Sequence, residues 1–187
     1  MIAYRCFAWE QSSAAAAPDG PLWFPQSYQG EGRHDNPDLY GCLYLSERPV
    51  SCIVEQLARF RTQRLSPALL NRRGLPLALA AIELDARAQL VDFDDPQVLS
   101  RERLRPSLVA TRDRQLTQPQ ARAIYTRRPA AAGVKWWSIF EATWVNYTVF
   151  DRAAPRLHLQ WVRILAVGDP PLVDAAQFFG MRTAEQT

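Results

Sequence analysis

With 187 residues, 48% of them apolar and 22% charged, the chain has the make-up of one globular domain with a sizeable core rather than a disordered or fibrous segment. No apolar run approaches the roughly 18 residues needed to span a bilayer, and the apolar stretch at the start is too short for a signal segment and is interrupted at Glu10, so neither a membrane nor an export route is expected and the protein is placed in the cytoplasm. The net charge is only +3, and the arginines alternate with acids, as in DARAQLVDFDD and SRERLRP, which argues against a nucleic-acid surface.

Lys135 is the single lysine, so 21 of the 22 basic residues are arginine. Cys6, Cys42 and Cys52 form an odd set without CxxC spacing and read as small buried residues of a reducing compartment. His34 and His158 are the only histidines, which leaves a zinc site poorly supplied, and no dedicated metal site is expected.

Along the chain, Ile2–Trp9 reads as a strand, and residues 10 to 40, rich in Pro, Gly, Gln and Asp, as a long ordered loop of the kind that usually carries function. Gly41–Leu45 reads as a second strand. Val50, Ile53, Val54, Leu57 and Ala58 follow the spacing of an amphipathic helix, and Glu55 falls outside that stripe, near its edge beside Ser51. Ser66-Pro67 looks like the start of a helix and Gly74 its end. Pro76–Leu84 and Gln89–Phe93 are expected strands, and Asp95–Arg103 and Thr117–Arg128 expected helices. Val134–Phe140, Trp144–Phe150 and Leu157–Leu165 are further strands, and Pro171–Phe179 is a short helix stopped by Gly180. Strands and helices mix without regular βαβ alternation, so an α+β fold is expected.

The motifs of the common nucleotide and hydrolase folds are missing. GEGRHD lacks the third glycine of a dinucleotide fingerprint, and no GKS or GKT loop, GxSxG elbow or HExxH occurs. What remains is a set of polar residues on separate elements: Arg5, Arg33, Tyr44, Glu55 and Ser138. A guanidinium pairs with phosphate oxygens through two parallel bonds, and glycines flanking Arg33 let a ligand approach the backbone. Tyrosine offers a flat face to an aromatic ring. A carboxylate beside a ribose stabilises positive charge building at the anomeric carbon, and a serine hydroxyl anchors a sugar or an amide. Asn146 is an additional pocket amide, and Glu141 the next acid should Glu55 not serve. These parts fit a ligand with a diphosphate, a ribose and an aromatic leaving group. Trp136, Trp137, Trp144 and Trp161 read as core.

The segments YRCFAW, GRHDNPDLYGCLYLSERPVSCIVEQLARF, LVDFDDPQVL, RPSLVATRDRQLTQPQARAIY and GVKWWSIFEATWVNYTVFD together resemble RES-domain proteins. The resemblance runs from Tyr4 to about Phe179, residues 4–179 of a single domain spanning 1–187. It implies a fold similar to ADP-ribosyltransferase toxins and the activity of a toxin that destroys NAD, with NAD as substrate and no cofactor. A cognate antitoxin with a Xre-like DNA-binding domain is the implied partner. Residue by residue, it places Arg33 and Arg5 on the diphosphate, Tyr44 beside the nicotinamide, Glu55 at the transition state and Ser138 on the ribose. His34 stands where the resembling proteins carry a bulky aromatic, a change expected at the pocket mouth. Two other functions fit the same residues: ADP-ribosyl transfer to a macromolecule, and a non-catalytic module that binds a partner or a nucleotide.

Overall fold

The computed structural model describes residues 1–182. Among them, eight strands build one sheet, antiparallel everywhere except at its far edge. β1 (Ile2–Ala8), β2 (Cys42–Ser46), β3 (Asn71–Arg72), β4 (Leu75–Leu84), β5 (Leu90–Asp92), β6 (Gly133–Trp137), β7 (Val145–Phe150) and β8 (Leu157–Ile164) lie in the order β3-β4-β1-β2-β7-β6-β5. β8 shares the outer edge of β4 with β3, and β5 runs parallel to β6. The helices are α1 (Pro49–Leu57), α2 (Pro96–Glu102), α3 (Pro106–Val109), α4 (Arg114–Arg127) and α5 (Pro170–Phe178). This is the expected α+β architecture, a mostly antiparallel sheet flanked by helices. No helix of the described residues is long and apolar enough to cross a membrane.

The period-2 alternation of strand side chains divides the core. Leu43, Leu45, Ala78, Ala80 and Ile82 pack on one face of the sheet with Ala3 and Phe7. On the opposite face, Cys6, Leu77 and Leu79 meet α1 and α5 through Ile53, Val54, Leu57 and Leu172. Cys42, Val134, Trp136 and Phe150 meet the α2–α4 region through Leu99, Val109 and Ile124. Two helical groups thus stand side by side on one face, with a furrow between them.

The sheet itself is split beneath that furrow. β1 and β2 pair only at Tyr4 and Ser46, whereas β2 and β7 stay in register from Cys42–Phe150 to Ser46–Asn146. Where β1 has left β2, a side chain takes its place: the Gln29 amide donates to the Cys42 carbonyl (2.6 Å) and accepts from the Cys42 N–H (3.0 Å). A buried edge with unpaired backbone groups is costly, and the amide satisfies both.

One expected element differs. Ser66-Pro67 opens only a 3₁₀ turn, Pro67–Leu70, and the chain then enters the β3–β4 hairpin. Arg72 pairs with Leu75, so Arg73 (φ +55°) and Gly74 (φ +79°) form a two-residue turn with both central residues left-handed. Gly74 is a hairpin glycine, not a helix stop. Gly180 (φ +63°) does end α5. α3 and the three residues by which α4 begins before Thr117 are additions, α4 starting where the Asp113 carboxylate accepts the Gln115 N–H (2.9 Å).

Candidate active site

The furrow is a cleft of about 370 Å³ lined by residues of β1, β2, α1, β6, β7 and the loops before β2 and α4. Its floor is a row of side chains in register on adjacent strands: Ser46 of β2, Asn146 of β7 and Trp136 of β6. That row contacts the acid and one of the arginines of the cleft, Glu55 through Asn146 and Arg33 through Trp136.

Glu55 lies in the last turn of α1, outside its buried stripe of Ser51, Cys52, Ile53, Val54 and Leu57. A carboxylate near a helix C-terminus faces the negative end of the dipole, and burial adds a desolvation cost. Burial accordingly raises the Glu55 carboxyl above its ordinary range, while Ser138, Arg33 and Asn146 pull it back down. Ser138 Oγ (2.9 Å) and Asn146 Nδ2 (3.2 Å) both donate to Oε1. Asn146 Oδ1 in turn accepts from the hydroxyls of Ser46 (2.6 Å) and Ser51 (3.1 Å), which turns the amide nitrogen toward the carboxylate. Oε2 accepts from no donor among the described residues, and Glu55 lines the cleft. One carboxylate oxygen is anchored and the other is free for a ligand.

Arg33 sits in the loop before β2, its guanidinium 4.6 Å over the Trp136 ring and donating to the Val109 carbonyl (2.6 Å). Burial lowers its pKa to about 10, with Glu55 acting in the opposite sense, so it stays cationic at neutral pH. Its loop is held from three directions. The Asp35 carboxylate accepts the Gly30 (2.8 Å) and Gly32 (2.6 Å) N–H groups and the Tyr44 hydroxyl (2.6 Å). The Tyr44 oxygen accepts the His34 N–H (2.9 Å), and Thr117 Oγ1 of α4 donates to the Arg33 carbonyl (2.6 Å). A Cβ on Gly32 would stand 2.5 Å from both the Tyr44 hydroxyl and an Asp35 carboxylate oxygen, so a side chain there would displace the groups that hold the loop.

The rest of the wall is cationic and aromatic. Arg59 and Arg61 follow the end of α1, Arg112 comes from the segment before α4, and Arg114 is the first residue of α4. Arg112 lies 5.3 Å over the Phe140 ring, and Arg114 donates to the Glu31 carbonyl (2.9 Å). Five arginines face one acid. Such a lining suits an anionic ligand, and Tyr44, Trp136 and Phe140 give it flat apolar faces.

Of the five residues singled out from the sequence, Arg33, Tyr44 and Glu55 line the cleft, and Ser138 reaches it through Glu55. Ser138 is buried, accepts the Phe140 N–H (3.1 Å) and spends its proton on the carboxylate, so it orients the acid instead of lining the cleft where a ribose would lie. Tyr44 presents its ring, while its hydroxyl is committed to the Arg33 loop. Arg5 does not join them. It precedes Cys6 on β1 and therefore points to the other face of the sheet, where it donates to the Gly20 (3.3 Å) and Pro21 (2.6 Å) carbonyls and stacks on Phe7 (4.5 Å). It lines an adjoining chamber at the β1–β2 split. Glu141 is also elsewhere, accepting from the Thr143 N–H and hydroxyl in its own turn.

His34 is not at the pocket mouth. The imidazole is buried between Trp136 and Phe93, edge-on to both rings, with Nδ1 2.7 Å from Thr148 Oγ1. Burial first and Arg33 second hold it neutral. Of the four tryptophans expected in the core, Trp136 is also the cleft floor and Trp161 is 42% exposed. Asp35, Arg112 and Arg114 were not apparent from the sequence, since an aspartate in a turn and two arginines among 21 carry no spacing signal.

The sequence matches the RES domain family over residues 2–172. The chain belongs to that family. In fold, it is similar to a chain of the M. tuberculosis MbcT–MbcA toxin–antitoxin complex, with a TM-score of 0.65 over 97% of this chain and 88% of that one, at 19% identity. No curated protein matches the sequence.

Proposed function

We propose that this RES-domain protein is the toxin of a toxin–antitoxin pair and cleaves the nicotinamide–ribose bond of NAD. The observation that carries the reading is the Glu55 carboxylate, anchored at Oε1 by Ser138 and Asn146 and open at Oε2, in a cleft walled by arginines and aromatic rings. The likeness in fold to the MbcT–MbcA complex and membership of the RES family support the toxin part.

In this reading the diphosphate lies against Arg33 and the neighbouring guanidiniums, and Tyr44 packs against the nicotinamide side. Heterolysis of the bond from C1′ to the pyridinium nitrogen returns the electron pair to the ring and releases neutral nicotinamide. Positive charge builds on the ribose, and a fixed carboxylate oxygen beside C1′ stabilises it without reorganising. With water as acceptor the products are nicotinamide, ADP-ribose and one proton; phosphate or a protein side chain would accept the same ribosyl carbon. NAD is a substrate here, not a recycled cofactor. A cognate antitoxin with a Xre-like DNA-binding domain, and action in the cytoplasm, belong to the same proposal.

The test is expression of the chain alone in bacteria. Growth should stop and intracellular NAD should fall, while cells making Glu55→Gln at equal level grow normally. Unchanged growth with level NAD would remove the toxin reading.

A further inference from the structure

Arg33 and His34, neighbours in the loop before β2, grip one indole from two sides. The Arg33 guanidinium lies over the Trp136 face at 4.6 Å, and the His34 imidazole stands edge-on to the same ring, with centroids 5.4 Å apart and planes at 82°. Thr148 of β7 joins the two rings. Its hydroxyl oxygen accepts the Trp136 Nε1–H (3.1 Å) and lies 2.7 Å from His34 Nδ1. Thr148 stands opposite Val134, so it is the diagonal cross-strand neighbour of Trp136 on the cleft face of the sheet.

All four side chains are buried, and their protons run in one direction. An indole N–H only donates, whereas a hydroxyl has one proton to give and two lone pairs. Among the described residues Thr148 Oγ1 has these two partners, so its own proton is satisfied by an unprotonated Nδ1. Burial and the Arg33 charge keep the imidazole neutral, which leaves that lone pair available. The chain therefore passes from the Trp136 N–H through the Thr148 hydroxyl to His34 Nδ1, and bonds aligned in one sense reinforce each other. The imidazole is itself fixed. The Tyr44 hydroxyl accepts the His34 N–H (2.9 Å), the Tyr40 hydroxyl donates to its carbonyl (2.6 Å), and the Phe93 ring lies edge-on at 6.3 Å. A guanidinium stacked on a ring is placed only as well as the ring beneath it.

We infer that His34 and Thr148 are positioning residues for the cleft: they lock the plane of the Trp136 indole, and the locked plane holds the Arg33 guanidinium where it meets an anionic ligand. The inference rests on the NAD-cleavage reading only for the identity of that ligand. It gives the buried imidazole a part in binding although it touches no ligand. The chemistry stays with Glu55, whose anchors Ser138 and Asn146 do not belong to this chain of bonds.

The test pairs Thr148→Val, which removes the hydroxyl, with Thr148→Ser, which keeps it, and adds His34→Leu, which removes the acceptor at the other end. Nuclear magnetic resonance reads the unliganded protein. Guanidinium protons held over an indole face resonate upfield of other arginine side chains, and the Arg33 signals are identified by their loss in Arg33→Lys. Thr148→Val and His34→Leu should return these signals toward those of the other arginines, and Thr148→Ser should leave them upfield. In calorimetric titration Thr148→Val and His34→Leu should bind ADP-ribose about five- to tenfold more weakly, the worth of one misplaced cation–π contact, with Thr148→Ser at the wild-type value. KM for NAD should rise in parallel while kcat holds, a split that lost stability alone does not produce. Arg33 signals that are not upfield in the wild type, or that stay put in Thr148→Val and His34→Leu, overturn the inference whatever the turnover. Wild-type affinity for ADP-ribose in those two variants overturns it as well, and so does a Thr148→Ser variant as impaired as Thr148→Val. Signals that move as expected, in a protein that neither binds ADP-ribose nor releases nicotinamide, keep the positioning of Arg33 and remove the cleavage reading.

Discussion

Asn146 and Trp136 stand opposite each other in register on β7 and β6, and each carries one half of the candidate chemistry. Asn146 donates to Glu55 Oε1 at 3.2 Å, and Trp136 lies under the Arg33 guanidinium at 4.6 Å. The acid comes from α1 and the arginine from a loop, yet one cross-strand pair in the middle of the sheet sets them both. A slip of β7 against β6 by one residue would turn Asn146 to the other face and leave Trp136 without it as a neighbour.

The first prediction concerns Ser138, which lowers the pKa of an acid that burial raises. Removing the hydroxyl in Ser138→Ala takes away that opposing effect, so the acid titrates higher. The acid limb of the pH–rate profile should move to higher pH, and the plateau rate should fall by about ten- to a hundredfold as the carboxylate loses one anchor. A profile that keeps its acid limb and loses only amplitude would show that Ser138 does not act through Glu55.

Glu55 should also weaken the fold it serves. Its folded-state pKa lies above the unfolded value, so the stability of the protonated form is present below the unfolded pKa of about 4.3 and is lost as pH rises through the folded pKa. Glu55→Gln keeps acceptors for Ser138 and Asn146 without the buried charge. It should raise stability at pH 7.5 by ~1 kcal/mol, a Tm gain of about 2–4 °C for a chain of this size, while abolishing turnover. The gain should shrink toward zero near pH 4. Calorimetry at the two pH values checks the sign, and a Tm drop at pH 7.5 refutes it.

Tyr44 separates two roles that the sequence could not. Tyr44→Phe keeps the ring on the cleft and removes the hydroxyl that joins Asp35 to the His34 N–H. The buried Asp35 and His34 groups lose partners, which costs about 1–3 kcal/mol of stability. Since Arg33 lies in the same loop, KM for NAD should rise severalfold with kcat less affected. Equal stability and KM in the variant would show that the phenol does not hold the loop.

Much of this was legible in advance because it is local. The eleven-residue steps from Arg33 to Tyr44 to Glu55 lie in one continuous stretch of loop, strand and helix, and the apolar stripe of α1 left Glu55 visibly outside it. The strand pattern was readable for the same reason: Leu77 and Leu79 alternate with Ala78 and Ala80 between the two faces of β4. The rest depends on long-range geometry. Arg5 reads as a partner of Arg33 by residue type, yet the strand period and the split between β1 and β2 carry it to the other chamber. Gly74 carries the same signal for a helix stop as for a hairpin, and only pairing of Arg72 with Leu75 decides. Asp35 becomes a hub because the loop folds back on it, and Arg112 and Arg114 join the cleft because α4 is placed beside it.

Arg33 combines charge with shape. Arg33→Lys keeps the charge but loses both the bond to the Val109 carbonyl and the stacking on Trp136. Affinity for ADP-ribose should drop by about tenfold or more, consistent with the loss of one bidentate contact. An unchanged dissociation constant would assign Arg33 to the fold alone.

The central claim is that this cleft breaks the nicotinamide–ribose bond through Glu55, and release of nicotinamide from NAD by the purified chain tests it most directly. Nicotinamide should appear in proportion to NAD consumed, without added metal, and Glu55→Gln should fall by at least two to three powers of ten while circular dichroism shows the same fold. No nicotinamide above the buffer control from folded wild-type protein, or equal release by wild type and Glu55→Gln, would contradict the account.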